Sequence, residues 1–283
     1  MCGIAGIIDF TQDISEQQLI NKMTETLAHR GPDNEGYFAS KHALLGHKRL
    51  AIIDLVTGSQ PMTKGAYTIV YNGEVYNAPE LRKQLQQLGY DFFSTSDTEV
   101  IVTAYIEWQE RCVDYLNGIY AFAIWNAELE QLFLCRDHLG VKPLFYVQHR
   151  TGILFASEIK ALLAHPSVKA EVDEDGLAAL LSLGPSRITG HAIFKGIHEL
   201  KPAHVMIVRR DKVTRQRYWD IESREHKDNE QQTIERVRQL VTDAVCRQLI
   251  SDVPICTMLS GGLDSSILTA IAAKQLSYTD KTL

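Results

Sequence analysis

Apolar residues recur along this chain in two patterns, one typical of strands and one typical of helices. Short, nearly continuous apolar runs predict buried strands. They lie at residues 4–10, 67–71, 120–125, 132–135 and 153–156, and two further strands are expected at 204–209 and 213–218. The runs at 120–125 and 132–135 lie close together in the sequence, so they are expected to form adjacent strands.

Apolar residues spaced by three or four positions predict helices between these runs. Ser15 and Gln18 form a capping-box pattern ahead of the first helix. Further helices are expected after Asn77 and after Ser96. Ser157 is expected to cap a helix that runs to His165, and Asp173 to cap the next helix, which ends at Gly184 and Pro185. Residues 72–74, Asn-Gly-Glu, are expected to form a turn.

A polar segment at residues 222–231 separates this first part from a second pattern. There a helix is expected at about 233–250, then a strand at 254–259, a Gly-Gly turn and a helix from Ser265. Strand, glycine loop and helix form the start of a doubly wound α/β domain. We predict a first domain at 2–217, a linker at 218–232 and a second domain at 233–283, incomplete because one β-loop-α unit cannot bury both faces of a parallel sheet.

The chain has 283 residues, enough for two hydrophobic cores. Its hydrophobic fraction of 45% and charged fraction of 23% are typical of a globular protein in water. A net charge of -6 argues against nucleic acid or an anionic membrane as partner, and no apolar run reaches the length of a membrane span. Five cysteines without a CxxC pair favour neither a disulfide framework nor a zinc site. With no signal-peptide pattern, a cytoplasmic protein is expected.

Cys2 stands where removal of Met1 would make it the N-terminal residue, with a thiol and an α-amino group on one residue. Such an amine has a pKa of about 7.7–8.0, so part of it is free base at neutral pH and can take the thiol proton without a histidine. Gly3 leaves the backbone beside this nucleophile unobstructed. Position alone is a weak indication, because most single cysteines are inert core residues.

Six motifs in the first half of the chain strengthen this interpretation. They are MCGIAGI at 1–7, HRGPD at 29–33, GHKRL at 46–50, NGEVYN at 72–77, SDTE at 96–99 and RDHLGVKPL at 136–144. In this order they resemble the class II glutamine amidotransferases, and the resemblance covers about residues 2–217. It implies an α+β fold, the N-terminal-nucleophile αββα sandwich of two stacked antiparallel sheets between helical layers.

The resemblance also implies the roles of the site residues. The Cys2 thiolate attacks the side-chain amide of glutamine, forms a γ-glutamyl thioester and releases ammonia, while the Asn72 side chain and the Gly73 N–H hold the oxyanion. A guanidinium matches the α-carboxylate of glutamine, and a carboxylate matches its α-ammonium. The glutamine-binding residues implied are Arg49, Leu50, Ile52, Ile53, Asn72, Gly73, Glu74 and Asp97. No cofactor is implied for this glutaminase half.

Residues of the HRGPD and RDHLGVKPL motifs have other expected roles. Arg30 is expected in a loop that closes over glutamine. Asp33, Arg136 and Asp137 are expected to shape the chain as ion pairs and caps. The histidines of the motifs, His47 among them, need no chemical role because the terminal amine supplies the base.

LSGGLDSS at residues 259–266 follows an apolar run and opens a helix. Glycines permit a tight turn, and serine hydroxyls with a helix N-terminus offer donors to phosphate oxygens. The lysine of a Walker loop is absent, and the stretch resembles the pyrophosphate loop of enzymes that adenylate a substrate. The ATP-binding residues implied are Leu259, Ser260, Gly261, Gly262, Asp264 and Ser265, and Asp264 is expected to help place Mg²⁺.

A pyrophosphate loop behind a class II glutaminase resembles the glutamine-dependent asparagine synthetase family, as does the sequence SDVP at 251–254. The resemblance implies that ATP and Mg²⁺ activate aspartate as β-aspartyl-AMP, and that ammonia arriving through an internal tunnel displaces AMP. Glutamine, aspartate and ATP are the implied ligands of the complete enzyme. The resemblance leaves a homodimer open.

Two alternatives stay open on the sequence. One is an asparagine-synthetase-like amidotransferase that amidates a different carboxylate, since the acceptor pocket is expected after Leu283. The other is a non-catalytic paralogue that only binds glutamine. The presence of Cys2, Asn72, Gly73 and Asp97 argues against the second alternative, and a glutaminase assay distinguishes it from an enzyme.

Overall fold

The computed structural model describes residues 1–14, 16–184 and 188–278. Contacts divide the chain into two units, Met1–Ala51 with Val56–Asp220, and Ile52–Leu55 with Ile221–Leu283. The first unit contains sheets and helices, and the regular elements described in the second are helices. No described helix is long and apolar enough to cross a lipid bilayer.

The elements of each unit follow in chain order. The strands of the first unit are β1 (Gly3–Asp9), β2 (Asn34–Ala39), β3 (Ala43–Arg49), β4 (Met62–Lys64), β5 (Tyr67–Val75), β6 (Gly118–Asn126), β7 (Gln131–Arg136), β8 (Phe145–Gln148), β9 (Gly152–Ala156), β10 (Ile197–Glu199), β11 (His204–Arg209) and β12 (Lys212–Arg217). Its helices are α1 (Gln17–Glu25), α2 (Ala78–Gln87), α3 (Asp97–Trp108), α4 (Ile159–Leu163) and α5 (Glu174–Leu183), with 3-10 helices at Ala28–Arg30 and Gln109–Asp114. The second unit contains α6 (Glu230–Arg247) and α7 (Leu263–Leu276).

The described strands form two six-stranded sheets. The first has the order β10-β8-β9-β1-β3-β2 and the second the order β12-β11-β7-β6-β5-β4. Every neighbouring pair is antiparallel. β1 is a central strand between β3 and β9, so the beginning of the chain lies inside a sheet.

Alternating side chains of β1 show how the layers form. Ile4 and Ile8 pack in the apolar core between the sheets, whereas Ala5 and Ile7 pack in a second core with residues of α1 and α4. A third core joins the outer face of the second sheet to α2 and α3. The order is helix, sheet, sheet, helix, which confirms the expected αββα sandwich.

Each apolar run predicted as a strand in the first unit forms one, with its ends shifted by at most a few residues. The apolar pattern does not predict β3, although all of its residues are buried. The second half of this strand is His47-Lys48-Arg49, and these polar residues interrupt the apolar run that would predict a buried strand. β3 nevertheless pairs with β1 along almost its whole length.

Two local predictions about the first unit are wrong. Residues 72–74 are not a turn but the second half of β5, paired with residues 119–121 of β6. Ser157 does not cap α4, because its Oγ accepts the N–H of Ile4 at 3.0 Å and the N-cap position is Glu158. At both positions hydrogen bonding or pairing with a neighbouring strand replaces the turn or the cap that the local sequence predicts.

One predicted cap is confirmed, since the Asp173 carboxylate accepts the N–H of Gly176 at 2.8 Å at the start of α5. α3 follows Ser96 as expected, and the Ser96 hydroxyl accepts the N–H of Thr98 there. α5 ends at Leu183 with Gly184 as its C-cap, as expected. Ser15 and Pro185 lie outside the described residues, so the capping box at Ser15 stays a prediction.

In the second unit, α6 contacts α7, and Asn229 forms a capping box with Gln232. The predicted strand at 254–259 is wrong for the described residues, which carry no strand there. A parallel strand needs hydrogen-bonded neighbours, and residues 221–278 contain no other strand to provide them.

Residues 52–55 join the second unit through Asp252. Its carboxylate accepts the N–H of Asp54 at 2.7 Å, and its own N–H donates to the carbonyl of Ile52 at 2.9 Å. Asp54 is buried and has a φ of 54°, a left-handed conformation uncommon for a residue with a Cβ. These hydrogen bonds hold a short, unusual loop.

Replacing Leu45 tests the core between the sheets. Leu45 is 0% exposed, and Leu45→Ala should lower the free energy of unfolding by about 2–5 kcal/mol, because it removes buried methyl groups and leaves a cavity. Leu129, which is 64% exposed, provides the control, and Leu129→Ala should change stability by no more than about 0.5 kcal/mol. Urea unfolding followed by circular dichroism measures both. Equal, small losses would contradict the assignment of layers.

Candidate active site

Cys2 directly precedes β1 and lies beside the end of β3, since Gly3 pairs with Lys48. The backbone N–H of Leu50 donates to Cys2 Sγ at 3.4 Å, and the thiol also lies 3.6 Å from the Leu50 carbonyl. Burial raises the pKa of the thiol, while the Leu50 N–H, the terminal amine and the charge of Arg49 lower it. The two contacts with the backbone of Leu50 position the Cys2 sulfur.

The terminal amine belongs to Met1 in this chain. Partial burial lowers the pKa of the amine, and although Cys2 opposes this, the positive charges of Arg30 and Lys142 lower it further. A lower pKa leaves more free base at neutral pH, which is the form that accepts a proton. The environment at the start of the chain thus favours a base. Removal of Met1 stays a prediction.

Asn72 lies on β5 on the same face as Val70, which packs in the core between the sheets. Its side chain is 1% exposed, and within the described residues neither Nδ2 nor Oδ1 has a hydrogen-bond partner. A buried amide without partners costs free energy. Native structures keep few such groups, and catalytic sites are among the reasons they are kept. Asn72 is therefore suited to bind a polar group brought by a ligand.

The backbone N–H of Gly73 points to the edge of β5 that faces away from β6. Its partner on β6, Tyr120, uses both its N–H and its C=O in hydrogen bonds with Asp137, so this pair is not hydrogen-bonded. On the same edge as Gly73, the N–H groups of Tyr71 and Val75 donate to side-chain oxygens. The Gly73 N–H thus lies in a row of donors near the end of the sheet.

The neighbouring strand explains why residue 73 is glycine. A Cβ at this position would lie 2.2 Å from the carbonyl oxygen of Ile119 and 2.6 Å from the Cα of Tyr120. Atoms do not approach so closely, so β6 alone excludes a side chain here.

Asp97 is the first residue of α3. Its Oδ2 accepts the Tyr71 hydroxyl at 2.8 Å and the Val75 N–H at 3.1 Å. Burial raises the pKa of Asp97 and outweighs these donors, which lower it. No lysine, arginine or histidine among the described residues forms an ion pair with this carboxylate. Asp97 therefore offers a buried negative charge that a bound cation would complement.

Glu74 and Lys142 bring opposite charges to the same region. Burial raises the pKa of Glu74, and Lys142 opposes that shift. Burial also lowers the pKa of Lys142, while Glu74 and Cys2 oppose the change. Lys142 is 8% exposed and is not among the site residues that the resemblance implies. Its place within the RDHLGVKPL motif is the sequence signal that points to it.

Arg136 and Asp137 have the chain-shaping role expected of them. Arg136 donates to the carbonyls of Gly140, Lys142 and Leu200. Asp137 accepts the N–H groups of Tyr120, Leu139, Val141 and Lys142. These hydrogen bonds fix the loop that carries Lys142.

His47 and Arg49 project from β3 on the same face as Leu45, toward the second sheet. His47 Nε2 lies 3.0 Å from the carbonyl oxygen of Tyr71 and donates to it. Complete burial lowers the pKa of His47 to about 4, so the ring is neutral at pH 7 and fills a structural position. Arg49 is 5% exposed, and its charge acts on Cys2.

Arg30 is placed differently from its expected position in a closing loop. It is buried in the 3-10 helix Ala28–Arg30. Its Nε donates to the Cys2 carbonyl at 2.8 Å, and its Nη1 donates to Glu158 Oε1 at 2.8 Å. Arg30 is thus bonded to the backbone of the candidate nucleophile.

The apolar residues predicted to bind glutamine fall in both units. Leu50 contacts Cys2 through its backbone. Ile52 and Ile53 belong by their contacts to the second unit, so their place at a glutamine site stays a prediction.

In the second unit, the predicted phosphate-binding residues surround the N-terminus of α7. Gly261 has a φ of 83°, a conformation that favours glycine. Ser260 Oγ lies 2.9 Å from Ser265 Oγ, and Ser265 also donates to the carbonyl of Gly262 at 3.2 Å. Hydroxyls, a tight turn and the start of a 14-residue helix fit a phosphate group. Leu259 and Asp264 are exposed.

The Mg²⁺ role expected of Asp264 has no further support in the geometry. Within the described residues no group of three or more histidine, cysteine, aspartate or glutamate side chains is arranged to hold a metal ion. Phosphate oxygens supply many of the ligands of Mg²⁺ in nucleotide sites, so this role stays a prediction.

Replacing Arg49 tests whether its charge acts on the thiol. Because a positive charge favours the thiolate, Arg49→Ala should raise the pKa of Cys2 and shift the pH profile of its alkylation by iodoacetamide to higher pH. Mass spectrometry of the peptide that carries Cys2 measures the rate. Arg210→Ala, which removes a surface ion pair with Glu130, is the control. A profile unchanged in Arg49→Ala would show that this charge does not reach the sulfur.

Comparison with known proteins assigns both parts of the chain. Residues 1–219 match the family model for the glutamine amidotransferase domain, and residues 236–282 match the model for asparagine synthase. The chain is 54% identical over 278 residues to glutamine-hydrolyzing asparagine synthetase 3 of Bacillus subtilis (strain 168), covering 96% of this chain and 45% of that relative. Asparagine synthetase 1 of the same strain is 34% identical over 282 residues, covering 96% and 44%. The chain spans less than half the length of these relatives.

A solved structure has the same fold. The glutamine phosphoribosylpyrophosphate amidotransferase of B. subtilis, complexed with ADP and GMP, matches with a TM-score of 0.55 at 20% identity, covering 77% of this chain and 49% of that one. Since the family model spans both sheets together with Cys2, Asn72 and Asp97, this chain belongs to the glutamine amidotransferase domain family.

Proposed function

We propose that the first unit hydrolyses glutamine to glutamate and ammonia with Cys2 as the nucleophile. The observation that carries this proposal is the side-chain amide of Asn72, which is buried on the strand that packs across from β1 and has no partner in the part of the chain that the structure describes. Such an amide can donate to an oxygen on which negative charge develops. The N–H of Gly73 supplies a second donor.

The proposed reaction follows from these groups. After loss of Met1, the Cys2 amine takes the thiol proton, and the thiolate attacks the side-chain amide carbon of glutamine. The resulting oxyanion accepts hydrogen bonds from Asn72 Nδ2 and the Gly73 N–H. The C–N bond breaks, the leaving nitrogen takes the proton from the amine, and ammonia departs. Water then hydrolyses the thioester, which releases glutamate and restores the thiol.

The charges near Cys2 match those of free glutamine. Arg49 supplies a guanidinium for the α-carboxylate, and Asp97, with Glu74, supplies negative charge for the α-ammonium. Burial raises the pKa of both acids, and a bound ammonium would offset their desolvation. A glutamine within a peptide lacks both charges, so the arrangement favours the free amino acid. The backbone of Leu50 contacts the Cys2 thiol and adds to the proposed pocket.

Replacing Asp97 tests the ammonium site. Asp97→Asn keeps the shape of the side chain but removes the charge, so the KM for glutamine should rise about ten- to a hundred-fold, equivalent to about 1.5–3 kcal/mol. Glu107→Gln, an acid on the same helix whose partner is the Tyr90 hydroxyl, is the control. An unchanged KM in Asp97→Asn would give Asp97 a purely structural role.

The second unit supports a ligase role for the protein as a whole. We propose that Leu259, Ser260, Gly261, Gly262, Asp264 and Ser265 bind the pyrophosphate of ATP, with Asp264 near Mg²⁺. ATP would supply the activation of the aspartate carboxylate, and ammonia from the first unit would convert it to asparagine with release of AMP and pyrophosphate. The match of residues 236–282 to asparagine synthase supports this half. The proposed domains are 2–217 and 233–283, joined by a linker at 218–232, in a cytoplasmic protein.

Product analysis tests the two halves separately. The purified chain should release glutamate and ammonia from glutamine, and Cys2→Ala should abolish both because it removes the proposed nucleophile. The ligase half is tested with a chimera in which residues 1–283 replace the matching part of the 54% identical B. subtilis relative. It should form asparagine from aspartate, ATP, Mg²⁺ and glutamine.

The nitrogen source distinguishes the outcomes. In the chimera, Cys2→Ala should still form asparagine from ammonium but not from glutamine. Loss of both activities in a folded protein would contradict the separation into two sites. Glutamine binding without glutamate release by the unaltered chain would favour the non-catalytic paralogue.

A further inference from the structure

The hydrogen bonds between β9 and β1 stop just short of the nucleophile. Ala156 pairs with Ala5. Ser157 then donates its N–H to the carbonyl of Ile4 at 2.9 Å and accepts the Ile4 N–H on its hydroxyl at 3.0 Å. The next residue, Glu158, leads into α4. Residues 2 and 3 therefore lack β9 as a neighbour, although the nucleophile is one of them.

Arg30 provides the missing hydrogen bond. Its Nε donates to the carbonyl of Cys2 at 2.8 Å. Gly3 leaves room for this approach, since a Cβ there would lie 2.8 Å from Leu27 Cβ and 3.4 Å from Arg30 Cδ. The Cys2 carbonyl belongs to the peptide group that joins the nucleophile to the sheet. The hydrogen bond from Arg30 therefore fixes the carbonyl side of Cys2, whose nitrogen becomes the free amine once Met1 is removed.

Glu158 in turn holds Arg30. The Arg30 Nη1 and Glu158 Oε1 lie 2.8 Å apart, and the exposed fractions of the two side chains are 8% and 25%. Nη2 of Arg30 is buried and has no hydrogen-bond partner among the described residues. Glu158 is therefore the side chain that orients the guanidinium. Burial acts to raise the pKa of Glu158, but hydrogen bonds from Arg30, Lys160 and His29 lower it to about 2, so it is an anion at neutral pH.

We propose that Glu158 is a positioning residue for the nucleophile: its carboxylate holds Arg30 against the Cys2 carbonyl and so sets the position of the Cys2 thiol and amine relative to Asn72. The inference rests on the proposed hydrolysis of glutamine. Glu158 should act on turnover and not on binding, because the charges proposed to bind glutamine come from Arg49 and Asp97.

Steady-state kinetics of glutamine hydrolysis tests this. Glu158→Ala should lower kcat about ten- to a hundred-fold, the loss typical of a misplaced reacting group, and should leave KM within about twofold. Glu158→Gln keeps an oxygen that accepts from Nη1, so its kcat should lie between those of wild type and Glu158→Ala. Thermal unfolding of each variant identifies any general loss of structure, and Glu158→Gln keeps the test valid if Glu158→Ala does not fold.

Two control variants separate the action through Arg30 from a general effect of charge. Lys160 and His29 also contact Glu158, at 3.2 Å and 3.0 Å. Lys160→Ala and His29→Ala remove these contacts and leave Arg30 in place, so kcat should stay within about twofold of wild type. If Glu158 acts through Arg30, the double variant Arg30→Ala/Glu158→Ala should lose no more activity than Arg30→Ala alone.

Several results would overturn the inference. The inference fails if both Glu158 variants keep the wild-type kcat, or if they change KM without changing kcat. It also fails if the losses in kcat of the two single variants multiply in Arg30→Ala/Glu158→Ala, or if Lys160→Ala loses as much kcat as Glu158→Ala. A wild-type chain that releases no glutamate would instead refute the proposed function. Alkylation of Cys2 then becomes the readout, and it should be faster in Glu158→Ala, where the anchor is lost, but not in Lys160→Ala.

Discussion

The position of β1 between β3 and β9 is the constraint on which the site depends. Chain ends usually fray because few hydrogen bonds hold them, yet here the first residues lie in the middle of a sheet. The register with β3 places Cys2 beside Arg49. A slip of one residue would exchange the two faces of β1 and remove Ile4 from the core between the sheets. The alternation of side chains along β1 that builds the sandwich therefore also sets the position of the proposed nucleophile.

The site combines buried charges with incomplete partners. Asp97 and Glu74 are acids whose pKa values burial raises, and Lys142 is a base whose pKa burial lowers. Asn72 adds an amide whose donor and acceptor find no partner among residues 1–14, 16–184 and 188–278. Arrangements of this kind are unfavourable for the folded protein taken alone, and they are common at functional sites. A zwitterionic ligand with an amide side chain carries the complement of each group.

Most of the first unit could be predicted because its strands are apolar runs. β3 could not, since His47 and Lys48 are buried through partners far along the chain, among them the carbonyl of Tyr71 and the carboxylate of Glu25. Residues 72–74 have the composition of a turn, and only the presence of β6 extends the strand through them. Motifs identified Cys2, Asn72 and Asp97. Glu158 lies 128 positions from Arg30, so no local pattern connects the two.

The two units are interleaved along the chain. The polypeptide leaves the first unit after Ala51, returns at Val56 and leaves again after Asp220. No single cut separates the units, and a fragment that ends at Asp220 keeps Asp54 without the carboxylate of Asp252 that accepts its N–H. A recombinant whose residues after the polar linker come from another protein keeps this hydrogen bond only if that protein also places an acceptor at the position of Asp252. Positions 54 and 252 are therefore expected to constrain each other, although they lie on opposite sides of the polar linker.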